Sequence, residues 1–68
     1  MGFNIYNQIK KVQESLNKKG YSKNIPIHIF GTELMLLFGM GQKKAIEWIG
    51  NFEKVGLIKR DGNNINFV

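Results

Sequence analysis

Sixty-eight residues suffice for one domain with a single small core, because folding at this size hides only about 60% of the surface that the open chain exposes. The lack of cysteine excludes disulfides and thiolate metal sites, and one histidine without clustered carboxylates makes no metal site either. Ten Lys and Arg oppose five Asp and Glu, and the resulting +5 favours a polyanionic partner, although the abundance of Lys, Asn and Ile also fits the codons of an A/T-rich genome.

The longest apolar run, Leu34–Phe38, falls far short of the roughly 20 residues that span a bilayer, and the first residues lack the basic-then-apolar order of a signal peptide. A cytoplasmic location with no membrane partner is expected.

The spacing predicts a first helix from Phe3 to about Lys19. Ile5, Ile9, Val12 and Leu16 form one stripe, Asn4 is the candidate N-cap, and Gly20 suits the left-handed position after the helix. Ile25 to Phe30 alternates, with Ile25, Ile27 and Ile29 on one side. It reads as a short strand that Pro26 limits to a sheet edge or to its first residues. Thr32 is then placed to cap a second helix over Glu33–Phe38, with Leu34, Leu37 and Phe38 inward and Leu36 outside.

Gly39-Met40-Gly41 leads into a third helix from about Gln42 to Val55. Its buried face is Ala45, Trp48, Ile49, Phe52 and Val55, and at 100° per residue the opposite face carries Lys43, Ile46, Glu47, Gly50 and Lys54. Gly56 closes it. Leu57–Arg60 and Asn63–Val68 flank Asp61-Gly62, a strong hairpin signal. A two-residue turn there pairs Arg60 with Asn63 and Ile58 with Ile65. Ile58, Ile65 and Phe67 share one face; Lys59, Asn64 and Asn66 point the other way. No repeat or linker divides residues 1–68, which read as a single α+β domain of order α-β-α-α-β-β.

The segment GMGQKKAIEWIGNFEKVGLIKR, Gly39 to Arg60, resembles the winged helix-turn-helix regulators of bacteria and archaea. The likeness rests on the Gly-apolar-small turn, the helix that follows it, and the Glu53-Lys54-Val55-Gly56-Leu57-Ile58 exit into a wing. It implies three helices, a short strand after the first, and a C-terminal β-hairpin wing. It also implies double-stranded DNA as partner, with the third helix in the major groove and the wing on flanking phosphates or the minor groove. The implied contacts are Gln42, Lys43, Lys44, Glu47, Gly50, Asn51 and Lys54 on the helix, and Lys59, Arg60, Asn63 and Asn64 on the wing. Gln42 and Asn51 suit adenine, Lys43 guanine or a phosphate, and Glu47 cytosine. Arg60, the only arginine, is the first choice, because its planar fork reads phosphates and narrow minor grooves better than lysine does.

Competing readings stand beside these. The lysine pairs are also ordinary solvated faces, and Lys59-Arg60 is also a charged edge that deters strand pairing. Trp48 reads as core and His28 as a polar strand position. Leu36 and Ile46 are either scattered surface apolars or a self-association or partner patch. A homodimer is expected, because one small module offers limited contact area on DNA. No nucleophile–base pair or metal cluster is legible, so neither enzyme activity, a cofactor nor a small-molecule substrate is expected. The role is that of a small transcriptional regulator or an accessory factor of a plasmid, virus or mobile element, with a winged-helix protein-interaction module as the alternative.

Overall fold

A computed structural model describes residues 5–68. In chain order it contains α1 (Ile5–Lys18), β1 (Ile25–Pro26), α2 (Ile27–Phe38), α3 (Gln42–Lys54), β2 (Ile58–Asp61) and β3 (Asn64–Phe67). It is a small α+β fold of three helices and a three-stranded antiparallel sheet of order β1-β3-β2.

The α1 stripe faces the core as its spacing dictates: Ile9, Val12 and Leu16 are buried and Ile5 packs at the margin. The candidate cap Asn4 and the expected first residue Phe3 lie outside the described residues. After the helix, the Tyr21 N–H reaches back to the Leu16 carbonyl at 2.9 Å.

The strand expected over Ile25–Phe30 is corrected. Only Ile25 and Pro26 pair with β3, opposite Ile65 and Asn64, and the chain turns helical at Ile27. The segment carries two periods at once: alternation through Ile25, Ile27 and Ile29, and a helical stripe through Ile27, Phe30, Leu34 and Phe38. Burial decides between them, since Phe30 and Leu34 are wholly inaccessible while Ile29 is only half-buried. Pro26, extended at φ −54° and ψ 138°, precedes the helix, where its missing N–H costs nothing. The Ile27 N–H donates to the Asn63 carbonyl at 2.9 Å, which ties the start of α2 to the hairpin turn. Thr32 is therefore inside the helix rather than capping it, and its hydroxyl donates to the His28 carbonyl at 2.8 Å. Leu37, expected inward, is 41% exposed.

Ala45, Ile49 and Phe52 bury the inner face of α3, and Trp48 is half-buried. Val55, expected on that face, is exposed. It is the residue after the last helical position, and the backbone there is already reversing. Gly56 takes φ +81°, a conformation that penalises side chains, and this lets the Leu57 N–H bond the Phe52 carbonyl at 2.9 Å.

The hairpin register is also corrected. Ile58 pairs with Phe67 and Arg60 with Ile65, so the turn centre is Gly62-Asn63, one residue later than expected. Gly62 has φ +62° and Asn63 does not have positive φ, the pattern of a turn with glycine first rather than Asp-Gly. Moving the centre by one residue displaces the pairing by two, so every side chain keeps its face. Ile58, Ile65 and Phe67 face the helices as expected, and Arg60 shares that side of the sheet.

Ring contacts bind the layers. Phe30 meets Phe52 edge-on at 6.4 Å and Phe67 at 5.8 Å, while Trp48 bridges Phe52 at 5.9 Å and Phe38 at 5.2 Å. A second link joins α1 to α2. Glu33 is 3% exposed and accepts hydrogen bonds from the Ser15 hydroxyl and, at 2.7 Å, from the Lys19 ammonium. Burial pushes its pKa up, but the hydrogen bonds from Lys19 and Ser15 and the lysine charge outweigh burial and hold it below the ordinary value of 4.5.

Phe30→Ala is expected to cost about 3–5 kcal/mol, enough to unfold much of so small a domain; urea titration followed by circular dichroism measures it. Glu33→Gln should cost about 1–2 kcal/mol at pH 7. Because the folded-state pKa is depressed, this contribution is present above the unfolded value and is lost as pH falls through the folded one. The urea midpoints of the two proteins should therefore converge as the pH falls through the depressed folded-state pKa of Glu33.

Candidate nucleic-acid interface

The side of α3 turned away from Ala45, Ile49 and Phe52 is free of the core. Gln42, Lys43, Lys44, Glu47, Gly50, Asn51 and Lys54 are all exposed, as the sequence implied. On a helical projection Lys43, Glu47, Gly50 and Lys54 point directly outward. Lys44 and Asn51 flank them on the Trp48 side, and Gln42, Ile46 and Glu53 flank them on the other. Ile46, expected to face directly outward, instead forms a wall of a groove between α3 and α2, though it remains 62% exposed. No side chain caps the N-terminus of α3; Gly41 is extended there, and its carbonyl accepts the Ala45 N–H at 3.0 Å.

The hairpin carries the second group. Lys59 is exposed on the outer face of the sheet, and Asn63 is exposed at the turn while its carbonyl holds the Ile27 N–H. Arg60 is 3.3 Å from the Glu53 carboxylate, with both side chains a little over two-fifths exposed. This ion pair links β2 to the last turn of α3. Exposed pairs of this kind stabilise by less than about 1 kcal/mol and exchange readily for other partners. Asn64 is half-buried, and Asn66 is occupied in holding the Asn24 backbone N–H at 2.7 Å.

The cations do not gather on α3 and the wing alone. α3 has three lysines against two glutamates, whereas five lysines and one glutamate lie between Ile5 and Asn24. The largest positive excess thus belongs to α1 and the turn after it.

The groove between α2 and α3 holds about 430 Å³ and is lined by Ile27, His28, Gly31, Thr32, Met35, Gln42, Ala45, Ile46 and Ile49, with Arg60 at one end. Gly31 lies on its floor, where a Cβ would sit 3.9 Å from Ile49 Cδ1. His28, expected on a strand, is an exposed rim residue of this groove on the first turn of α2. Sequence reasoning missed both the groove and the Glu33 site. The spacing of Ser15 and Lys19, one helical turn apart, was the one available sign of the latter.

Among the described residues no helix is long and apolar enough to cross a membrane, and no group of His, Cys, Asp and Glu is arranged to hold a metal ion. Comparison with known protein families, with curated proteins and with solved structures finds no match.

A side chain at Gly50 meets nothing within 4 Å. Gly50→Ala should therefore stabilise the free protein by up to about 1 kcal/mol, read as a higher melting temperature, because helix propensity changes and packing does not.

Proposed function

We propose that the chain is a winged helix-turn-helix protein that binds double-stranded DNA, with α2 and α3 as the helix-turn-helix and β2–β3 as the wing. The observation that carries this reading is the pairing of a core-free outer face on α3 with an adjoining basic hairpin, in the order α-β-α-α-β-β with β3 between β1 and β2. In this reading α3 enters the major groove. Gln42 and Asn51 offer the amide pairs that suit adenine, and Glu47 accepts from cytosine. Gly50 leaves the centre of the face bare, so backbone and base edges approach closely. Lys43, Lys44, Lys54 and Lys59 neutralise phosphates. Arg60 exchanges Glu53 for a phosphate at the wing, a trade that its exposure makes inexpensive. The lysines of α1 add long-range attraction to the duplex. The biological role is that of a small regulator or accessory factor acting on DNA.

A second reading, a winged-helix module that binds protein, is favoured by the exposed Leu36 and Ile46 and by Glu47 in the middle of the α3 face.

Fluorescence anisotropy with random and A/T-rich duplexes separates the two. Binding should weaken with salt along a log–log slope of roughly −3 to −5, as three to six phosphate contacts require. Lys59→Glu with Arg60→Glu should reduce affinity at least about 10-fold, and Glu53→Gln, which frees Arg60, should increase it. No binding at low salt by a folded protein would leave the protein-binding reading in its place.

A further inference from the structure

α2 differs from the rest of the surface in one respect. On a chain with ten Lys and Arg it carries none of them, and its single carboxylate, Glu33, is buried and neutralised by Lys19. Its outward side shows Leu36, 70% exposed, and next to it lies the groove walled by Met35 and Ile46 and floored by Gly31 and Ile49. A protruding leucine and a mainly apolar hole thus lie side by side on a surface where the fixed charge at the groove's end, Arg60, is paired with Glu53.

We propose that this surface joins two copies of the chain about a two-fold axis, with Leu36 of each copy seated in the α2–α3 groove of the other. Charge selects the occupant. A phosphate backbone or an acidic partner would be met by several free cations; α2 offers no Lys or Arg, and Arg60 at the groove's end already faces Glu53. Two molecules of charge +5 repel wherever lysines face each other, and the outer side of α2 is where that repulsion is smallest. Shape selects it as well. A two-fold contact requires one patch to complement itself, and a knob beside a hole on the same patch does so. Lys43, Glu47, Gly50 and Lys54, which point directly outward from α3, line no part of the groove and stay outside the contact, whereas Gln42 and Arg60 line it and are shared with the contact. The interface does not depend on the DNA-binding reading.

Sedimentation equilibrium of the full chain between about 5 and about 500 µM, spanning weak to moderate dimer affinities, tests it. A monomer–dimer equilibrium is expected, and it should tighten as salt screens the like charges. Leu36→Lys should weaken dimerisation at least about 10-fold while leaving the melting curve of the dilute monomer in place, since the residue is exposed. Gly31→Ala should do the opposite to the fold and the same to the dimer. It stabilises α2, because the new methyl makes an ordinary contact with Ile49, and it makes the groove shallower, weakening association about 3-fold or more. A monomer throughout the range, or a dimer indifferent to Leu36→Lys, overturns the proposal. A dimer sensitive to Leu36→Lys but not to Gly31→Ala overturns the seating in the groove. A monomer that binds duplex DNA refutes the dimer alone, and a dimer without DNA affinity refutes the DNA reading alone.

Discussion

Phe30 is the residue on which the layers of this fold converge. It has no exposed surface, and its ring touches Phe52 of α3 and Phe67 of β3. For that contact to exist, the segment after Pro26 must be helical. An extended segment would send alternate residues to opposite faces and could not bring Phe30 and Leu34 to the same core. The demand of this one ring cluster therefore extends α2 backwards to Ile27. It sets α2 across α3, and it draws the hairpin turn onto the start of α2 through the Ile27–Asn63 hydrogen bond. The result is a short hairpin held against the body of the domain, with Arg60 directed toward the end of α3.

The electrostatic layout follows from the same packing. With α2 in place, Glu33 is buried where Ser15 and Lys19 of the neighbouring helix can satisfy it. A buried carboxylate without them would carry a large desolvation cost. Its neutralisation leaves α2 without an exposed charge between the lysine-rich α1 and the mixed, solvent-facing side of α3. The molecule thus presents surfaces of different character: cationic on α1, mixed and hydrogen-bonding on α3 and the hairpin, and apolar along α2 and its groove. In the proposed reading the first two meet nucleic acid, through counterion release and amide hydrogen bonds. The third suits a neutral apolar contact.

Several features were legible from residue order alone because they are local. The α1 stripe, the inner face of α3 from Ala45 to Phe52, the glycine that ends α3 and the existence of the C-terminal hairpin all rest on periodicity or on backbone conformations that few residues adopt. So did the exposure of Lys43, Glu47, Asn51 and Lys54, since a helix with one buried stripe must show its other side to water. The faces of the hairpin survived an error in its turn, because the displacement was even. Composition also determined the net charge, the absence of thiol chemistry and the smallness of the core.

Other features depended on distant parts of the chain meeting. Ile25–Phe30 satisfied two periods, and only Phe52 and Phe67 chose between them. Gly62-Asn63 replaced Asp61-Gly62 at the turn centre, in a register that sets Ile58 against Phe67 and Ile25 against Ile65. Glu33 stands between Thr32 and Leu34, and nothing near it in sequence announced that Ser15 and Lys19 would enclose it. The α2–α3 groove is bounded by residues of two helices and the hairpin, among them Gly31 opposite Ile49, and such a hollow exists only once those elements pack together. Local order determined which elements form and which sides they bury; the mutual packing of aromatic rings decided where those elements begin, and hence which charges and apolar surfaces end up side by side.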